Sequence, residues 1–134
     1  MSSGISVEES CVAAFRELTG HRDVNTVIYR LSADLASIVP EFEGNLTHDE
    51  LLEALPTGEP RLVAYELAFA AADGARRHEI VLISWSPEGT DIEQRTVLAS
   101  GYRALRSTLD RIDLCVQATG LADVQYDELV SRAS

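Results

Sequence analysis

The stretch from Trp85 to Ile112, WSPEGTDIEQRTVLASGYRALRSTLDRI, constrains the fold more than any other part of the chain. It reads as a strand end, a turn and a long helix with two unlike faces. At about 100° per residue, Val97, Leu98, Gly101, Tyr102, Ala104, Leu105, Thr108 and Leu109 share one side, broad and apolar enough to lie against a sheet. The opposite side carries Ile92, Arg95, Thr96, Ala99, Arg103 and Arg106, flanked by Ser100 and Ser107. That outer face is basic, small and smooth, which suits docking into a groove. A solvated face with i, i+4 pairs such as Arg106 with Asp110 accounts for the same pattern, so the pattern alone names no partner.

A helix of this kind needs a sheet to cover, and the rest of the chain supplies one. Ser6-Val7-Glu8-Glu9 reads as a capping box that starts a first helix near Val7, with Cys11, Val12, Phe15 and Leu18 as its apolar stripe and Gly20 at its end. Residues 1–5 are then a free, flexible arm. Strands are expected over Thr26 to Leu31, Ser37 to Phe42, Leu62 to Phe69, Glu79 to Trp85 and Ile112 to Val116. The third and fourth are joined by a hairpin at Asp73-Gly74. Thr47-His48-Asp49-Glu50 is a second capping box, opening a short helix through Leu55 that Pro56 closes, and Tyr126 to Ala133 is a last short helix. Strands and helices alternate without a steady βαβ rhythm or a glycine-rich phosphate loop. The expectation is an α/β chain, one domain over residues 1–134, with a central mixed sheet of about five strands and helices on both faces.

Charge and motif content exclude several kinds of chemistry. The formal net charge is -11, from 22 acidic residues against 11 cations, all of them arginine, which disfavours nucleic acid as a partner. His21, His48 and His78 show neither the spacing of a metal site nor a local nucleophile motif. The capping box explains His48-Asp49-Glu50 without an ion. Ser86-Pro87-Glu88-Gly89 has proline where a nucleophile turn would continue, and no G-x-S-x-G occurs, so the chain is not expected to be an enzyme. Cys11 and Cys115 are expected as buried free thiols. No apolar run reaches the roughly 18 residues of a membrane span, and a soluble intracellular protein is expected.

Four segments together resemble the ADF/cofilin family. Trp85-Ser86-Pro87-Glu88, followed by Arg95-Thr96-Val97-Leu98-Ala99-Ser100, is similar to the family's Trp-x-Pro turn and its Lys-Met-x-Tyr-Ala-Ser-Ser helix. Ser3-Gly4-Ile5-Ser6-Val7 resembles the family's start, and Ala64-Tyr65-Glu66 and Val124-Gln125-Tyr126-Asp127-Glu128-Leu129 match in the middle and near the end. The resemblance implies the ADF-homology, gelsolin-like fold. It also implies an actin-binding protein of the cytoplasm and cytoskeleton that acts as a monomer without a cofactor, binds actin monomers and promotes filament turnover. Phosphoinositides are candidate competitors. An adaptor domain that has lost actin binding is the alternative.

Carried over residue by residue, the resemblance assigns monomer binding to Ser3, Gly4, Ile5, Arg95, Thr96, Ala99 and Ser100, with Arg95 as the anchoring charge. Arg103 and Arg106 are added from the helical wheel. Ser3 is the implied regulatory phosphorylation site, with Ser2 beside it. Glu93 stands where the family has a second cation, and Thr96 where it has methionine, which removes apolar reach. The family's filament surface maps to Arg77 and Arg132, while Glu79 stands where lysine is common. Weak filament binding or severing is therefore expected.

Overall fold

The computed structural model describes residues 5–21 and 24–133. Its strands are β1 (Ser6–Val7), β2 (Thr26–Leu31), β3 (Ser37–Gly44), β4 (Arg61–Ala70), β5 (Arg76–Trp85) and β6 (Leu114–Ala118). Its helices are α1 (Glu9–Arg16), α2 (His48–Ala54), α3 (Ile92–Thr108) and α4 (Tyr126–Ala133). The six strands form one mixed sheet in the order β1-β3-β2-β4-β5-β6. The central pairs are antiparallel, while β1 on β3 and β6 on β5 are parallel.

Side chains alternate across this sheet with period two, and both faces are apolar. Tyr29, Leu62, Ala64, Ile80 and Leu82 point to the face covered by α1 and α3, where Phe15, Leu98 and Leu105 close the core. Ile28, Val63, Tyr65, Val81 and Ile83 point to the other face, under α2 and α4, with Leu51 and Leu129. Each fully buried leucine contributes about 1.5–3 kcal/mol, so Leu98 and Leu105 on α3, with Leu109 at its C-cap, suffice to seat a helix whose outer half is polar.

Local signals formed as expected where their partners are local. The Thr47 hydroxyl accepts from Glu50 N at 3.1 Å and Glu50 Oε1 accepts from Thr47 N at 2.8 Å, the reciprocal cap of α2. The β4–β5 turn closes with Gly74 at φ 86°, a left-handed conformation that favours glycine, and Asp73 Oδ1 accepts from Ala75 N at 2.9 Å.

Other expectations are corrected. Ser6 does not cap α1. It is extended in β1, its N–H donates to Ala36 O at 3.0 Å, and α1 begins only at Glu9 with no side-chain cap. The sheet edge gives these residues a partner thirty positions away, and that pairing displaces the local one. The sheet therefore has six strands rather than about five. Nor does the first helix stop cleanly at Gly20: it passes into a π-helical turn, Glu17–His21, that keeps Leu18 buried. The last strand starts two residues late, at Leu114, because Asp113 bridges to Ile80, its N–H donating to Ile80 O and its Oδ2 accepting from Ile80 N. Thr108 is exposed, with its hydroxyl turned back onto Ala104 O at 2.8 Å. Both cysteines are free, but Cys115 is only half-buried. Among the described residues no helix is long and apolar enough to cross a membrane.

Candidate functional site: the outer face of α3

A rigid corner aims α3. Trp85 ends β5 with its indole N–H donating to Pro56 O at 2.7 Å, and Ser86 N donates to Ala118 O at 2.9 Å, so both sides of the turn are held. Pro87 O accepts from Thr90 N and, at 2.6 Å, from the buried Thr90 hydroxyl, while Gly89 takes φ 89° between them. Asp91 then caps the helix, its Oδ2 accepting from Glu93 N at 3.1 Å and Gln94 N at 3.3 Å. Such a cap stabilises the helix by about 1 kcal/mol.

Apart from Thr108, the resulting helix divides as its periodicity predicts. Leu98, Gly101, Tyr102 and Leu105 are buried, and Ile92, Arg95, Thr96, Ala99, Arg103 and Arg106 are exposed. Ile92 is 78% exposed, the most exposed large hydrophobic side chain among the described residues, and it stands one turn from Arg95 and Thr96. The Thr96 hydroxyl donates to Ile92 O at 2.9 Å, an internal bond that uses its only proton and leaves the methyl group and an acceptor oxygen to face outward. No described carboxylate pairs with Arg95 or Arg103. Arg106 does not pair with Asp110 either; it lies beside the Tyr102 hydroxyl, whose pKa burial and the neighbouring Cys115 push up against the opposing pull of Arg106.

Beside this face lies a cleft of about 580 Å3, between α3 and the carboxyl ends of the parallel strands β5 and β6. Leu98, Ala99 and Tyr102 form its helical wall, Ser86 and Thr119 lie opposite, and Arg95 and Arg103 stand at its mouth. The Ser86 hydroxyl is buried without a hydrogen-bond partner. Sequence reasoning missed Gln117 and Thr119, which the carboxyl end of β6 places in this cleft. No local signal marks them, since only the pairing of β6 with β5 brings them to α3.

Ser3 and Gly4, and with Ser3 the phosphorylation site, lie outside the described residues, as does Ser2. Ile5 is not part of a free arm: it is half-buried and packs against the core under α3.

The residues expected at the filament surface lie elsewhere. Arg77 and Glu79 project from the sheet face that α4 covers, and about eight residues of β5 separate Arg77 from Trp85, roughly 27 Å of strand. Their charges are not free. Arg77 is paired with Glu79 and its guanidinium lies 5.6 Å from the centre of the Phe69 ring. Arg132 is paired with Glu128 at 3.0 Å, one turn earlier on α4. His48 sits nearby with its Nε2 2.8 Å from Val124 O and its ring against the edges of Tyr65 and Tyr126.

The family model for cofilin/tropomyosin-type actin-binding proteins matches residues 4–134. The chain belongs to this family. It is 33% identical over 135 residues to a cofilin of Mycosarcoma maydis, covering 100% of this chain and 97% of that protein. It is 31% identical to actin-depolymerizing factor 7 of Arabidopsis thaliana, covering 98% and 96%. The crystal structure of Streptomyces griseoflavus cofilin superposes with a TM-score of 0.90 at 25% identity, with 98% of each chain covered. That of Plasmodium berghei actin depolymerization factor 2 superposes at 0.84 and 21% identity, covering 98% of this chain and 96% of that one. The cofilin/ADF fold is thus established along the chain, and within it the outer face of α3 exposes Arg95 and Arg103 with no described acidic partner.

Proposed function

We propose that the chain binds the actin monomer through the outer face of α3 together with the residues that precede β1, and promotes filament disassembly while engaging filaments weakly. Family membership supports actin as the partner. The observation that carries the choice of surface is the state of its cations: Arg95 and Arg103 flank Ala99 on an exposed helix face, with no acidic partner among the described residues, in a chain of net charge -11. A guanidinium without an internal partner gives up only water when it meets a partner's carboxylate. Ala99 lets two backbones approach, and Ile92 adds apolar area that is not covered within the chain. Ser100, half-buried beside Ala99, completes the small-residue edge of the surface.

Weak filament engagement follows from the opposite arrangement at Arg77 and Arg132, whose charges are already answered by Glu79 and Glu128. The activity is noncovalent and does not turn over a substrate. Titration of fluorescently labelled monomeric actin, run beside filament co-sedimentation, tests the reading. Saturable monomer binding that Arg95→Ala weakens is the expected result, and a wild-type chain that leaves monomeric actin unbound overturns it.

A further inference from the structure

β5, α3 and β6 form a strand–helix–parallel-strand unit, and the cleft beside α3 opens at the carboxyl ends of its two strands. That is the end at which open α/β sheets hold their ligands. Side chains of β5 alternate, so Ser84 and the following Ser86 continue the face of Ile80 and Leu82, under α3. On β6, Gln117 and the following Thr119 continue the face of Cys115 in the same way. Ser84 is paired in register with Gln117, and Ser86 N holds Ala118 O one step further on. The floor beneath α3 thus changes from apolar to a block of three hydroxyls and an amide.

Packing alone does not call for such a floor. The Ser86 hydroxyl is buried without a hydrogen-bond partner, so the described chain does not offset its desolvation. Ser86 as a whole is only half-buried and lines the cleft, so a turn about its one side-chain torsion brings the hydroxyl to a bound group. The facing wall differs in kind. Leu98, Ala99 and Tyr102 make it apolar, while Arg95 and Arg103, about 12 Å apart along the helix axis, bracket it with two positive charges. Neither arginine has an acidic partner among the described residues.

Each part of this lining disfavours a simpler ligand. An inorganic anion would meet the arginines and leave the wall bare, and an uncharged ring would leave the arginines unused. A sugar phosphate has no flat apolar face for Leu98 and Tyr102. A flat ring with polar edges and one phosphate uses the wall, the floor and the charges together. One phosphomonoester carries about two negative charges near neutral pH, which the two arginines balance. Glu88, exposed on the rim, disfavours more. The volume of about 580 Å3 falls within the roughly 300–1,000 Å3 of small-molecule sites.

We infer that this cleft is a binding site for a nucleoside monophosphate. The site shares Arg95 and Arg103 with the surface proposed for actin, so a bound nucleotide competes for them, but its existence does not depend on that reading.

The test uses the full chain without actin. Isothermal titration with AMP, GMP, CMP and UMP is expected to show saturable binding of at least one of them. The matching nucleoside, inorganic phosphate and glycerol 3-phosphate should each bind more weakly by about tenfold or more. Arg95→Gln should weaken binding about tenfold. Ser86→Ala should weaken it about fivefold yet melt at or above the wild-type temperature, because it removes an unsatisfied hydroxyl. Arg16→Gln, exposed on α1 and outside the cleft, should bind as the wild type does. The inference is overturned if none of the four nucleotides binds saturably, or if inorganic phosphate or glycerol 3-phosphate binds as tightly as they do. Wild-type affinity in either Arg95→Gln or Ser86→Ala, or a loss of binding in Arg16→Gln as large as in Arg95→Gln, overturns it as well.

Discussion

The outer face of α3 and the β5–α4 surface each present arginines, yet they are prepared for contact in opposite ways. On α3, Arg95 and Arg103 have no described acidic partner, and on the other surface Arg77 and Arg132 each hold a glutamate. Among the described residues Arg61, Arg77 and Arg132 hold a glutamate, while Arg16, Arg76 and Arg111 share the unpaired state of Arg95 and Arg103; what sets the last two apart is that they stand two turns apart on one exposed helix face. A surface charge that is already paired brings little net attraction to a second partner, because forming the new pair means giving up the old one. The difference teaches that counting cations on a surface misleads unless their internal partners are counted too.

Removing the free cations should break the contrast most severely. Arg95→Ala with Arg103→Ala should weaken monomer binding by about 1–3 kcal/mol per site where each meets a carboxylate at a desolvated edge. Folding stability should change by less than about 0.5 kcal/mol, as for surface positions without special contacts. Titration of labelled monomeric actin and chemical denaturation measure the two quantities. A variant that unfolds, or that binds as the parent does, contradicts the assignment of the face.

Converting the paired surface into a free one should sharpen the comparison. Glu79→Lys releases Arg77 and adds a second cation, each change amounting to a few tenths to about 1 kcal/mol at an exposed rim, so filament affinity read by co-sedimentation should rise by about threefold to thirtyfold. Monomer affinity should stay constant, because Glu79 projects from the sheet face opposite to α3. Glu79→Gln, which frees Arg77 without adding charge, should give about half of the gain in free energy. Unchanged filament binding in both variants would place the weakness elsewhere.

Ser3→Glu tests whether the residues ahead of β1 contribute to the same surface as Arg95. Negative charge and bound water at that position should weaken monomer binding by about 1 kcal/mol. An unchanged affinity would leave α3 as the sole contact. The smallest effect is expected at the pair on α4: Glu128→Gln should lower stability by only about 0.3–0.5 kcal/mol, the usual worth of an exposed i, i+4 pair. A larger loss would mean that Arg132 is tied more tightly than its 43% exposed side chain indicates.

Much of the fold can be read directly because its determinants lie within a few residues of each other. The two faces of α3 follow from its periodicity, the cap of α2 from Thr47 and Glu50, and the hairpin from Asp73-Gly74. The first turn of the chain misleads for an instructive reason: Ser6 and Glu9 have the spacing of a capping box, but Ala36 offers a strand edge that serves Ser6 better. Arg77 and Glu79 can be placed on one side of a strand from their spacing, whereas their pairing, which decides whether the charge is available, depends on rotamers set by Phe69 and the neighbouring strand.

The sequence by itself determined the class of the fold, the long helix with its basic outer face, and the family to which four short segments point. Each of these is written in residue types at short, regular separations, where backbone geometry alone brings side chains together. Only the tertiary structure decided which arginines are paired, where the cleft beside α3 opens, and which side chains crowd Gly101. These depend on atoms brought together from distant positions, Ile38 and Ile5 against Gly101, or β6 against β5, and close packing gives such meetings consequences that no local pattern carries.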